Sequence, residues 1–166
     1  MTYGRPLFWL LALGGIAVVA ATASRVPAAV ATHFDAGGTP IAWSSHGGYL
    51  FYLAVFGLVL PLGLIAMVNL VGSRGPERFN LPHRAYWLRP DNRASAVARV
   101  QSYMWWLGCV LTAAVVTLHL LIVRANATSP PQLRTRPFFS VLGLILLGIA
   151  SWIAGWFRVF RPPPIA

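Results

Sequence analysis

The groups in this 166-residue chain best suited to acid–base or metal chemistry are four histidines and three carboxylates. His33 and Asp35 stand two residues apart, His46 follows in the same polar stretch, and His119 lies near the end of a later apolar run. Imidazole and carboxylate ligands suit zinc, and three of them around an open position can activate water. One reading therefore makes His33, Asp35, His46 and His119 the ligands of a metal-dependent membrane enzyme or metal sensor. No His-x-x-x-His pair or Glu-bearing helix accompanies them. The purely structural reading has His33 bonding across a hairpin, Asp35 closing an Asx turn, His46 facing solvent and His119 bonding a neighbouring helix. A nucleophile is harder still to assemble: Cys109, the one cysteine, falls inside an apolar run, while Asp35, Glu77 and Asp91 all lie in loops. The expectation is a non-enzymatic protein with no catalytic residue and no cofactor.

The elements that position these groups follow from composition. Hydrophobic residues make up 57% of the chain and charged residues 10%, more apolar surface than one water-soluble domain of this size can hide. Four stretches approach the roughly 20 residues that a helix needs to cross a hydrocarbon layer. They run over about 7–23, 49–71, 103–123 and 138–157, and predict a single all-α membrane domain, a four-transmembrane-helix bundle. The first is longer than the apolar region of a usual signal peptide and is expected to be retained. Gly14, Ala17 and Ala21 on it, and Gly143, Gly148 and Gly155 on the fourth, are small residues at which helices could approach closely. Pro61 should kink the second stretch. Asp91 or Asn92 could cap a third helix that starts well before its apolar part. Pro137 suits the first turn of the fourth.

Every one of the 13 basic residues is arginine, and the net charge is +10. Arg74, Arg78, Arg84, Arg89, Arg93 and Arg99 gather between the second and third apolar stretches, whereas Arg25 stands alone between the first and second. Positive charge concentrates on the cytoplasmic side. This predicts a multi-pass protein of the inner-membrane type with both termini cytoplasmic. Arg124, Arg134 and Arg136 form a dissenting outer group. The arginines flank apolar runs and are not gathered into a basic face with stacking aromatics, which excludes nucleic acid as the expected partner.

Two loops carry more pattern than linkers do. The outer one, 25–48, alternates like a strand from Val30 to Phe34, turns at Asp35-Ala-Gly-Gly, and can return over Ile41 to Trp43, with Ser44 or Ser45 capping the next helix. The inner one, 73–99, interleaves aromatics with arginines. It reads as an interfacial segment, its arginines on anionic lipid phosphates and Tyr86, Trp87 and Leu88 at the acyl boundary. Asn126-Ala127-Thr128 has the form of a glycosylation acceptor and is given no role.

Val26-Pro-x-x-Val-Ala-Thr-His-Phe-Asp-x-x-Gly-x-Pro-x-x-Trp-Ser-Ser, followed by Asn80-Leu-Pro-His-Arg-x-Tyr-Trp-Leu-x-Pro-Asp-x-Arg, resembles the membrane family called domain of unknown function 1648. That family is similar to the amino-terminal part of the immunity protein for the sporulation-delaying toxin. The resemblance covers about the first two thirds of the chain. It implies a bacterial membrane protein whose outer loop senses or neutralises an extracytoplasmic factor. On this basis the expected binding residues are His33, Phe34, Asp35, Gly38, Pro40 and Trp43 outside. Asn80, Pro82, Tyr86, Trp87, Pro90 and Arg93 form the expected inner interface. Expected partners are the lipid bilayer and a peptide or membrane protein, with a second copy or a larger membrane complex as the structural-subunit alternative.

Overall fold

A computed structural model of the protein describes residues 3–163. Four helices are long and apolar enough to cross a membrane: Gly4–Arg25, His46–Arg74, Pro90–Asn126 and Thr135–Val159. A two-stranded antiparallel sheet, β1 (Ala29–Phe34) and β2 (Pro40–Ser45), links the first pair. The helix bundle and the hairpin thus both follow the sequence pattern.

Helix α1 (Gly4–Thr22) lies along the long α5 (Pro90–Asn126), and the seam is built from small residues. Gly4, Ala12 and Gly15 are buried there, and a Cβ on Gly15 would stand 2.7 Å from Val116. Gly14, Ala17 and Ala21, the predicted small-residue face, are exposed instead. The two triads point to opposite sides of one helix, so small size alone did not identify the buried side. Phe8, fully buried, fills the space above Gly108.

The second apolar helix is not regular. It comprises α2 (His46–Ala54), a widened π turn over Val55–Val59, and α3 (Leu60–Arg74). Pro61 accounts for the irregularity: it has no N–H to return to the carbonyl of Gly57, and its ring crowds that same carbonyl. The Thr112 hydroxyl of α5 supplies the missing donor at 3.0 Å. Ser45 caps the start of α2 by accepting from the Gly48 N–H at 3.1 Å, as its position predicts.

The predicted third stretch, 103–123, is the apolar part of a 37-residue helix that begins at Pro90. Arg89 occupies its N-cap, with Pro90 in the first turn, so neither Asp91 nor Asn92 caps it. Asn92 instead donates to the Tyr86 carbonyl at 3.1 Å, closing the loop in front of the helix.

The inner segment is folded against the bundle and does not lie flat beside it. Short helix α4 (Arg84–Trp87) carries Trp87 into a core with Ile65, Val68, Ala96, Val100 and Phe160. Trp87 is 4% exposed, and its indole N–H donates to the Phe160 carbonyl at 2.7 Å. The expected seat of Trp87 at the acyl boundary is therefore corrected: the ring is a packing anchor between the inner loop and the chain's last helix. Arg99 stacks on it, 5.0 Å from the ring centre.

Helix α6 (Thr135–Val159) contains no fully buried residue and packs along one side of α5. Tyr103 and Trp152 hold it through a reciprocal pair: Tyr103 donates its hydroxyl to the Trp152 carbonyl at 2.7 Å, and Trp152 donates its indole N–H to the Tyr103 carbonyl at 3.3 Å. Gly155 leaves room for the Tyr103 hydroxyl, which a Cβ there would strike. Gly148 meets Val110 at ordinary contact distance, whereas Gly143 faces open space.

Candidate functional site

The hairpin is held at four points, each traceable to one residue type. Asp35 Oδ1 accepts from the N–H groups of Gly37 and Thr39 at 2.9 and 2.8 Å, the Asx turn expected of this sequence. Gly38 has φ +86°, a conformation that side chains oppose. Its carbonyl accepts from the Leu133 N–H at 2.9 Å, docking the hairpin tip on the α5–α6 connection. The carboxamide of Asn126 then grips the backbone of Ala31 in both directions, accepting from its N–H at 2.8 Å and donating to its carbonyl at 2.9 Å. His46 anchors the base: its backbone N–H donates to the Ala28 carbonyl at 3.0 Å, and its Nδ1 sits 3.1 Å from the Val26 carbonyl. It is half-buried, not solvent-facing.

The strands pair with irregular register between Ala31 and His33 and between His33 and Phe34. An irregularity of this kind bends a ribbon and re-aims its side chains. The result is a cleft of about 450 Å³ between hairpin and bundle. His33, Phe34, Asp35 and Ile41 form its hairpin side, and Leu121, Phe138 and Phe139 are among the helix residues opposite. The lining is mainly apolar, with the polar His33 and Asp35 both on the hairpin side. Of the predicted outer residues, His33, Phe34 and Asp35 line this cleft. Gly38 is buried under Leu133, while Trp43 is 53% exposed on β2 and lies outside the cleft with Pro40. Ile41, 67% exposed, is a cleft residue that the sequence reading passed over.

The four expected metal ligands do not come together. Among the described residues, no group of three or more His, Cys, Asp or Glu side chains is placed to hold a metal ion. His33 is exposed, with Nδ1 3.1 Å from the neighbouring Thr32 hydroxyl and not bonded across the hairpin. His119 is 1% exposed and has both ring nitrogens engaged. Its Nε2 lies 2.8 Å from Thr22 Oγ1 and its Nδ1 2.8 Å from the Tyr49 hydroxyl. The Thr22 hydroxyl donates its one hydrogen to the Val18 carbonyl at 2.7 Å. With that hydrogen on Val18, the Nε2–H tautomer satisfies every contact: Thr22 accepts from Nε2, and Nδ1 accepts the Tyr49 O–H. The expectation that His119 bonds a neighbouring helix is met twice, on α1 and on α2.

Beside this triad a second cavity, about 340 Å³ and almost wholly apolar, opens between α1, the second apolar helix and α5. Among its lining residues, Thr112 and His119 carry polar side chains, both already committed to hydrogen bonds. At the opposite end, Asn80, Arg93 and Pro90 are exposed, Pro82 and Tyr86 half-buried, and Trp87 buried. Trp87 is therefore unavailable to a partner.

No family model, curated protein or solved structure matches the chain.

Proposed function

We propose that this chain is a non-enzymatic, multi-pass bacterial inner-membrane protein that recognises an extracytoplasmic amphipathic peptide through the cleft beneath its hairpin. The carrying observation is the cleft of about 450 Å³, lined on the hairpin side by the polar His33 and Asp35 and on the helix side by the apolar Leu121, Phe138 and Phe139. A peptide at a membrane surface offers that same division, with polar backbone and termini above and apolar side chains below. Exposed Ile41 within the cleft and exposed Trp43 outside it give the hairpin two large apolar contacts, the tryptophan being of a kind enriched at recognition surfaces. The arginine count supports the outward orientation of the hairpin and cytoplasmic termini. Immunity against a peptide toxin is the physiological form suggested by the two loop motifs. In this reading the folded inner segment carries the cytoplasmic contact, through the exposed Asn80 and Arg93.

Site-specific photocrosslinking in living cells tests the reading. A photoreactive residue at Ile41 or Phe139 is expected to capture a discrete extracytoplasmic peptide, and one at Arg78 is expected not to. Adducts with lipid alone at all three positions would sink it.

A further inference from the structure

The α5–α6 connection presents a feature that the peptide reading does not use. Arg124 and Arg134 line one cavity of about 320 Å³, together with Thr128 and Gln132 and with an apolar wall that includes Leu121 and Leu133. Arg124 stands in the last turn of α5, and Arg134 is the N-cap residue of α6. The fold therefore sets two arginines along one pocket, from either side of the connection. Thr128 is fixed within it, donating to the Ala125 carbonyl at 2.9 Å and accepting from the Gln132 N–H at 3.0 Å, which sets the shape of the turn. Both arginines are exposed. Among the described residues, neither guanidinium has a hydrogen-bond or ion-pair partner. The chain's three carboxylates offer no neutralisation here: Glu77 and Asp91 belong to the inner segment, and Asp35 is turned into its own Asx turn.

These arginines also oppose the charge rule that orients the rest of the molecule, in which positive residues favour the cytoplasmic side. A ligand at this position that needs them would offset that cost. Two guanidiniums above an apolar wall, at the end of helices that enter the hydrocarbon, suit an anion with paired oxygens and an attached apolar chain. We infer that the cavity between Arg124 and Arg134 binds a phosphate group, in the chemical form of an anionic phospholipid headgroup or of a free phosphate. The start of α6 adds favourable polarity: no side chain caps it, so the N–H groups of Thr135 and Arg136 remain available near the same turn.

The experiment uses the full chain in phosphatidylcholine nanodiscs with and without phosphatidylglycerol. Lipid retention is read by native mass spectrometry and thermal stability by melting, for the wild type, Arg124→Gln/Arg134→Gln and the opposite-end control Arg78→Gln. A headgroup site predicts selective retention of phosphatidylglycerol by the wild type and the control, reduced at least 10-fold in the double variant. A free-phosphate site predicts instead that inorganic phosphate, but not chloride at equal ionic strength, raises the melting temperature in phosphatidylcholine alone, and that the double variant loses this shift. The proposal is overturned when the wild type neither prefers phosphatidylglycerol nor responds to phosphate, or when the double variant matches the wild type in whichever response it shows. Should the double variant not fold, the single variants Arg124→Gln and Arg134→Gln carry the same comparison with the Arg78→Gln control.

Discussion

His119 gathers three helices through two hydrogen bonds, and the direction of both follows from a single hydroxyl. With the Thr22 hydrogen on Val18, the tautomer that satisfies both contacts carries its proton on Nε2. Nitrogen-15 NMR of ring-labelled protein should therefore report the Nε2–H tautomer; the Nδ1–H form would contradict the assignment. Replacing His119 by Phe leaves the Tyr49 hydroxyl buried without its acceptor, which should cost about 1–3 kcal/mol. Adding Tyr49→Phe to that variant removes the stranded hydroxyl, so the double variant should melt closer to Tyr49→Phe alone than additivity predicts. Equal, additive losses would mean that the two side chains do not share a bond. At the same scale, Asp35→Ala removes the acceptor of two turn N–H groups. Hydrogen exchange at Gly37 and Thr39 should then accelerate while exchange in α5 stays unchanged. The turn chemistry of Asp35 was legible because an Asx turn is written in adjacent residues. The partners of His119 were not, since Thr22 and Tyr49 lie 97 and 70 positions away in the chain.

Elements meet here through exceptions to their own regularity. Pro61 opens the second apolar helix, and α5 closes the gap with Thr112. Thr112→Val should destabilise the protein by roughly 1–2 kcal/mol, by leaving the Gly57 carbonyl without this donor. In a Pro61→Ala background residue 61 regains an N–H for that carbonyl, and the same threonine substitution should cost distinctly less. A cost that does not depend on residue 61 would break the link between the two helices' irregularities. The hairpin docks by a similar device. Gly38→Ala both strains a φ of +86° and drives a Cβ into the Leu133 carbonyl, so it should release the tip and expose the Leu133 amide to exchange. Proline and turn residues announced both places. The small-residue seams announced themselves less well: of the triads on α1 and α6, Gly155 and Gly148 face α5, while Gly14, Ala17, Ala21 and Gly143 do not. Over α1, apolar on every side, no periodic signal separates the side packed on α5 from the exposed side. Asn126 went unassigned for a related reason, because its grip on Ala31 is visible only once the hairpin is folded back over the end of α5.

For the molecule as a whole, two ends of opposite character follow from one chain that reverses direction three times. The hairpin, Asn126 and the α5–α6 connection meet at one end; α4, Trp87 and Phe160 meet at the other. Nine arginines at the Trp87 end, Arg5, Arg158 and Arg161 among them, weigh against four at the hairpin end, namely Arg25, Arg124, Arg134 and Arg136, so the charge rule predicts a cytoplasmic Trp87 end. The prediction can be read with introduced cysteines, since Cys109 is buried and contributes little background. Ala36→Cys in the hairpin should react with a membrane-impermeant maleimide in intact cells. Ser73→Cys, exposed at the start of the inner segment, should react only after permeabilisation. The reverse pattern would invert the molecule. It would put the cleft beneath the hairpin in the cytoplasm, remove extracytoplasmic peptide recognition, and leave the phosphate cavity to be tested against the inner leaflet. Because Arg124, Arg134 and Arg136 vote against the majority, neutralising all three should strengthen the predicted orientation. A triple glutamine variant that labels less completely at Ala36→Cys in intact cells than the parent would show that these arginines set topology by a route other than their charge.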